Sequence, residues 1–297
     1  MKIKMTLNTV NRALPRALPI VVALAYLTSP GWAASLLGSE LASFAILGGA
    51  TVTNTGATTL NGNLGVDPGT AITGKATIVV NGTSAATIGN PSVHEADAFA
   101  TQAQVQLASA MTSLGLLGPG TLLGANLAGL TLTPGIYTVP AGVSNLTGTL
   151  TLDGLGNANA AWVFQMPSTL ITSSDSNVNM INAGAGAGLF WMVGSSATLG
   201  TTTSFAGNIL AQTSISLNTG ASLCGSALAH TGAVTMDSNT IGCGDSHFAG
   251  GLSVPEGGGM PVFLATAPIP EPETYALLAL GLGLLGWVAR RRTHQTA

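Results

Sequence analysis

The sequence predicts a mainly β protein, a three-sided parallel β-solenoid with one long α-helix packed alongside. Three observations carry that prediction. Phe205-Ala206-Gly207-Asn208-Ile209-Leu210-Ala211-Gln212 and Leu223-Cys224-Gly225-Ser226-Ala227-Leu228-Ala229-His230 align position for position, Phe205 on Leu223 through Gln212 on His230, and Leu60-Asn61-Gly62-Asn63-Leu64-Gly65 is a third copy of the same pattern. A coil of about 18 residues, the offset of the first two copies, divides into three sides of about six, the length of an ordinary strand. Charged residues make up 6% of the chain, against roughly 25% in an average domain, while the chain holds 40 glycines. Glycine, Asn and Asp at repeated corners account for that composition, since corners need positive φ or side-chain-to-backbone hydrogen bonds.

The N-terminal segment comes first. Lys2, Lys4, Arg12 and Arg16 precede the apolar run Leu18 to Leu27, and small residues surround Gly31-Trp32-Ala33. This order predicts a secretory signal over residues 1–34, cut after Ala33 or Ala34. The apolar run is too short to span about 30 Å of hydrocarbon. The folded body then occupies residues 35–243. One helix is expected within it at residues 92–114, with Ser92 as cap and Glu95 completing a capping box. Ala96, Phe99, Ala103, Leu107, Ala110, Met111 and Leu114 share one stripe of that helix, which should lie along the side bearing Trp162-Val163-Phe164 and Phe190-Trp191-Met192.

Further along, Ala197 and Leu199, Ile215 and Leu217, Val234 and Met236 are expected to point into the core, with Thr198, Ser216 and Thr235 outward at the strand period of two. Cys224 and Cys243 are separated by close to one coil of chain. Stacked strands are about 4.8 Å apart, inside the Cα window for a disulfide, so a bridge is expected; two buried free thiols are the alternative. The stretch 244–273, with Gly257-Gly258-Gly259, reads as a flexible linker. Residues 274–297 close the chain with the apolar run 275–289 and Arg290-Arg291-Arg292, a pattern that halts translocation.

Charge and missing chemistry exclude several functions. Residues 35–265 hold nine carboxylates and one lysine, Lys75, a formal charge of −8, so the basic clusters that bind nucleic acid are absent. Solenoid lyases and hydrolases need clustered carboxylates with an Arg, Lys or metal. Here Asp153, Asp175 and Asp237 sit singly at expected corners, the body has no arginine, and His94, expected in the first helical turn, His230 and His247 lack a nucleophile elbow or a metal-ligand spacing. No enzyme, cofactor or metal is therefore expected.

Two resemblances add to this reading. Leu36-Leu37-Gly38, Phe44-Ala45-Ile46-Leu47, Thr51-Val52-Thr53-Asn54-Thr55-Gly56, Gly62-Asn63-Leu64-Gly65-Val66, Leu132-Thr133-Pro134-Gly135-Ile136-Tyr137 and Val163-Phe164-Gln165-Met166 resemble the microbial ice-binding β-solenoid family over about residues 35–243. That resemblance implies an irregular three-sided solenoid with one helix alongside, and an ice crystal surface as partner. It also implies a binding face built on Thr-(Ala/Gly)-x-(Thr/Asn) repeats. Thr55-Gly56-Ala57-Thr58 fits the repeat, Thr219-Gly220-Ala221-Ser222 fits with Ser last, Thr201-Thr202-Thr203-Ser204 departs at two positions, and Ser174-Asp175-Ser176-Asn177 departs at its first two. The face expected on this basis comprises Thr55, Thr58, Thr59, Asn177, Thr201, Thr203, Ser204, Thr219, Ser222 and Thr240. A cell-surface adhesin or matrix protein that binds carbohydrate through the same neutral face is the alternative. At the C-terminus, Pro270-Glu271-Pro272 with the apolar run and arginines resembles the PEP-CTERM sorting signal of Gram-negative bacteria. This second resemblance implies export, transient anchoring in the inner membrane through 275–289 and cutting by a sorting protease, which leaves the protein extracellular or on the cell surface.

Overall fold

The computed structural model describes residues 34–142, 144–243, 248–255 and 259–264. Residues 1–33 of the expected signal, the sorting segment 274–297, the glycines 257–258 and His247 lie outside them. The chain winds into a solenoid whose three walls are parallel sheets.

One wall, the covered sheet, runs in spatial order Thr121–Leu122, Gly135–Thr138, Ala161–Met166, Gly188–Val193, Asn208–Ala211, Ala227–Ala229, Phe44–Gly48, Asn63–Val66, Val93–Glu95. The second, the open sheet, runs Thr131–Leu132, Thr149–Asp153, Asn177–Ile181, Ser204–Ala206, Ser222–Cys224, Thr240–Ile241, Thr58–Leu60, Ile78–Val80, with Thr83–Ser84 added antiparallel at the end. The third, the short sheet, runs Leu170–Ile171, Ala197–Leu199, Ile215–Leu217, Val234–Asp237, Thr51–Thr55, Ala71–Thr73. The repeat read from the sequence is met where Trp191 pairs with Ile209 and Ile209 with Ala227. Earlier coils are longer, as the pairing of Trp162 with Leu189 shows.

The stacking order differs from the chain order. The strands of the last regular coil pair with the N-terminal ones: Ile46 with Ala227, Val52 with Val234, Thr59 with Thr240. The C-terminal chain leaves the solenoid after Ile241, and Phe44–Gly48 takes its place in the covered sheet. At this seam the buried Ser226 Oγ donates to Phe44 O at 2.6 Å. The Cys224–Cys243 disulfide, Cα–Cα 4.8 Å, fastens the departing chain to the preceding coil.

Because the N-terminal coils sit at the far end, the chain must travel back eight strand intervals, about 38 Å, to begin again at Thr121. The helix Ala98–Leu116 covers most of that distance, about 28 Å at 1.5 Å per residue. Its buried residues Ala100, Ala103, Leu107, Ala110 and Leu114 pack on Val163, Phe190, Leu210 and Leu228 of the covered sheet. The expected wall is found, and so is the expected stripe from Phe99 to Leu114, but Ala96 lies off the helix and exposed and Ala100 takes its buried place. The helix start is not where expected: Val93–Glu95 is a strand paired with Leu64–Val66, which moves His94 off the helix, and Ala96 turns at φ 50°. The cap is Asp97, whose carboxylate accepts from Ala100 N.

Inside the walls, Trp162, Phe164, Trp191 and Phe205 are fully buried or nearly so. Phe164 and Trp191 stack at 4.0 Å between ring centroids, and the two indoles donate to Leu132 O and Ala206 O. The paired inward positions expected at Ala197, Leu199, Ile215, Leu217, Val234 and Met236 are buried, while Thr198, Ser216 and Thr235 point out. The body extends past residue 243, contrary to the linker expected there. Phe248 O accepts from Leu189 N, Leu252 is buried against the helix-side core, and Leu252–Val254 pairs antiparallel with Ala34–Ser35 and with Val262–Phe263. Leu252 and its neighbours bury apolar surface, which fixes a segment whose glycines alone would leave it flexible.

Candidate functional site

The corner between the short and open sheets repeats a four-residue device. Its second position is left-handed in coil after coil: Asp175 at φ 59°, Thr202 at 56°, Gly220 at 72°, Ser238 at 55° and Gly56 at 73°. This conformation explains why glycine suits that position and why Thr202 and Asp175 depart from the repeat without altering its geometry. The third position points inward. Ser176, Thr203 and Asn239 are 1%, 0% and 2% exposed, and their side chains tie the corner to backbone: Ser176 Oγ to Leu146 O, Thr203 Oγ1 to Ser173 O, Asn239 Nδ2 to Asn218 O and Ala221 O.

The fourth position opens the outward row of the open sheet. The backbone pairs Thr149 with Asn177, Asn177 with Ser204, Ser204 with Ser222, Ser222 with Thr240, Thr240 with Thr59 and Thr59 with Val79. Seven side chains thus stand in one register over six intervals of about 4.8 Å, roughly 29 Å. Thr149, Ser204, Thr240 and Thr59 are exposed and Ser222 is half-buried. Their hydroxyls make no hydrogen bond within the described protein. Beside them runs a partial second row, Thr131 paired with Thr151 and Thr151 with Asn179.

Of the ten residues expected on the face, Asn177, Ser204, Ser222, Thr240 and Thr59 stand together in this row. Thr201, Thr219 and Thr55 lie exposed at the corner beside it, and Thr219 Oγ1 donates to the Asp237 carboxylate. Thr203 and Thr58 are corrections. Both are buried, at 0% and 1%, and Thr58 Oγ1 donates to Asn54 Oδ1 while accepting from Asn239 N. The N-terminal coil has one extra corner residue: Thr55 pairs with Asp237 and Thr59 with Thr240, four steps along the chain against three. The insertion moves Thr58 into the inward position and Thr59 into the row. Strand alternation would have signalled it, since Thr58 and Thr59 cannot both face out. Thr149, Thr151, Asn179 and Thr131 were missed. The Thr-Leu-Thr-Leu alternation at 149–152 carried the signal, but the coil that leads from Thr149 to its partner Asn177 is much longer than the repeat that exposed the other rungs.

Ionised groups keep to the row's margins. Asp175 accepts from Thr202 Oγ1 and Asp237 from Thr219 Oγ1 and Ser238 Oγ. Asp153 accepts from Leu155 N and Asn182 Nδ2, which together hold its carboxyl below the usual carboxylate range. Among the described residues no group of three His, Cys, Asp or Glu side chains is placed to hold a metal ion.

A three-sided parallel solenoid, closed by its own N-terminal coils, braced by one helix on one wall and lined with unpaired hydroxyls on another, defines a surface-recognition protein built on a rigid repeat. The comparisons place it more narrowly. The profile of the Ice-binding-like family matches residues 46–242, and the chain belongs to that family, which is non-enzymatic. The PEP-CTERM protein-sorting motif matches residues 268–292. The chain is 44% identical over 255 residues to an ice-binding protein of Nostoc sp. strain HG1, covering 84% of each. It is 32% identical over 218 residues to an ice-binding protein of Flavobacterium frigoris, covering 67% of this chain and 73% of that one. The crystal structure of an ice-binding protein from the Antarctic ascomycete Antarctomyces psychrotrophicus superposes with a TM-score of 0.64 at 36% identity, over 72% of this chain and all of that one.

Proposed function

We propose that this protein is exported, adsorbs to ice through the outward row of the open sheet, and by adsorbing inhibits ice growth or recrystallisation. The observation that carries the reading is the row itself. Thr149, Asn177, Ser204, Ser222, Thr240, Thr59 and Val79 repeat at the strand spacing, and the five hydroxyls among them, those of Thr149, Ser204, Ser222, Thr240 and Thr59, have no partner in the described protein. Each hydroxyl can exchange one hydrogen bond with a water, and the γ-methyls of the threonines between them favour water held in cages over water held around ions. A formal charge on the row would orient water radially and break that order; none is present. The names of the relatives, ice-binding proteins over most of their length, support the same conclusion.

The sorting motif supports a cell-surface or released destination. On this reading the signal is removed on export by a cut after Ala33, the one of the two expected positions that keeps Ala34 for its pairing with Val254; 275–289 anchor the chain transiently in the inner membrane of a Gram-negative bacterium, and a sorting protease cuts near Pro270-Glu271-Pro272. The test is ice growth in the presence of the purified exported protein. A gap between melting and freezing temperatures with faceted crystals is expected. Unaltered crystal growth together with binding to a polysaccharide would replace this reading with the adhesin one.

A further inference from the structure

The small antiparallel sheet brings the two ends of the body together. Its middle strand Leu252–Val254 pairs with Ala34–Ser35 on one side and with Val262–Phe263 on the other. Leu252 belongs to the apolar core beneath the helix, with Leu36 and Leu37. The outer strand is unlike the rest of the surface. Met260, Val262, Phe263 and Leu264 are 38–57% exposed, four of the eleven exposed large apolar side chains among the described residues, while the other seven stand singly in the chain. Their place is fixed by backbone: Val262 pairs with Ser253, Phe263 with Leu252, and Leu264 N donates to Gly251 O at 2.9 Å. Exposed apolar groups gathered in this way mark a contact surface.

Both membrane-directed segments of the sequence lead to this sheet. Leu264 is eleven steps along the chain from Tyr275, where the apolar run 275–289 begins, at most about 38 Å of extended chain. Ala34 is seven steps from Leu27, the end of the apolar run of the signal, at most about 25 Å. The two reaches meet on a sheet whose strands contain no carboxylate, although residues 35–265 carry a formal charge of −8. A cut after Ala33 also leaves an α-ammonium on Ala34, a cation on the strand paired with Leu252–Val254.

We infer that Met260, Val262, Phe263 and Leu264 seat the body on the lipid bilayer that anchors it, and that this contact holds Pro270-Glu271-Pro272 at the membrane surface for cutting. The inference rests on the anchoring proposed above. Apolar side chains enter the boundary between headgroups and acyl chains without a shaped pocket. Anionic headgroups attract the Ala34 ammonium and repel the carboxylates found elsewhere on the body, which favours this sheet over other surfaces. A protein partner would need more than the strand offers. Its free edge is two residues long, too short to extend a sheet, and Met260 to Leu264 include no Trp, Tyr or Arg to anchor in a partner's pocket. A weak contact suffices, because the membrane span keeps the patch at a high effective concentration beside the bilayer. Cutting removes that advantage and lets the body leave.

The test is photo-crosslinking of the full chain reconstituted in vesicles of phosphatidylethanolamine and phosphatidylglycerol, with Val262, Phe263, Val79 or Ile88 replaced in turn by benzoylphenylalanine. Flotation first establishes that the chain is anchored. Lipid adducts at Val262 and Phe263 are expected several-fold above those at Val79 and Ile88, exposed apolar side chains elsewhere on the body. Phe263→Glu, with the probe at Val262, should bring the adduct down to the Val79 level while the chain still floats and keeps its melting temperature. Equal adducts at all four positions, or adducts at Phe263 to a second copy of the chain in place of lipid, would overturn the docking surface and leave the anchoring standing. A chain that does not float with the vesicles would overturn the anchoring itself, and the docking surface with it.

Discussion

Threonine does two opposite jobs in this molecule, and a shift of one position decides which. Thr59 faces solvent with a free hydroxyl; Thr58, beside it, is 1% exposed and holds Asn54 and the Asn239 amide. Replacing Thr58 with Val keeps the shape and removes the hydroxyl, leaving buried polar groups unpaired, which costs about 1–3 kcal/mol. The same holds for Thr203→Val, whose hydroxyl bonds Ser173 O. Urea titration should register that loss for both variants, while ice activity measured well below their melting temperatures stays near wild type. Unchanged stability would mean that water replaces the missing bonds and the corners are not sealed. The sequence motif located the corners because left-handed positions favour Gly, Asn and Asp, yet it could not mark the inserted Ala57. Strand alternation shows that Thr58 and Thr59 cannot both face out; which of them joins the row follows from the pairing of Thr59 with Thr240.

The helix is the element that converts an interrupted repeat into one body. Its small residues Ala100, Ala103 and Ala110 allow close approach to Phe190 and Val163, and Leu107 fills the interface. Leu107→Ala should destabilise by about 2–5 kcal/mol, read by denaturation, with the ice-facing row unaffected at low temperature. Asp97→Ala should cost about 1 kcal/mol through the lost cap. Burial raises the Asp97 pKa, but the Ala100 amide, the hydrogen bond and charge of His94 and the Phe99 amide outweigh it and hold the carboxyl below its usual value of 3.8. A depressed folded pKa makes this contribution complete above the unfolded value and lost as pH falls through the folded one. Wild type should therefore lose more stability than Asp97→Asn does between pH 5 and about pH 2; parallel curves would show that the carboxylate contributes nothing. The helix was legible from its apolar stripe. Its start was not, because the Ser92…Glu95 pattern imitates a capping box while the strand Leu64–Val66 recruits Val93–Glu95, and Ser92 Oγ accepts from Asn81 Nδ2. A long-range pairing overrode a local signal.

At the scale of the whole molecule, the outward row of the open sheet crosses the seam where C-terminal and N-terminal coils meet, at Thr240 to Thr59. The row's integrity therefore depends on a junction with no covalent continuity, and the disulfide lies where the departing chain would begin to peel away. In the loop-entropy account a bridge with a sequence separation of 19 contributes about 3 kcal/mol. The Cys224→Ser/Cys243→Ser protein should melt roughly 6–12 °C lower; an unchanged melting temperature would show that the seam holds without it. The short regular coils and the bridge could be read from the chain, since both are local in sequence. The return of residues 44–95 to the end of the stack could not, because nothing in a one-dimensional repeat says which coil is its neighbour. The account as a whole turns on free hydroxyls in the open sheet. Its most direct test is the gap between melting and freezing temperatures for wild type and for Ser222→Tyr, whose site is half-buried at the centre of the row. A bulky ring there should abolish most of the gap while stability moves by no more than about 0.5 kcal/mol. A wild-type gap that survives Ser222→Tyr intact would contradict the assignment of this face.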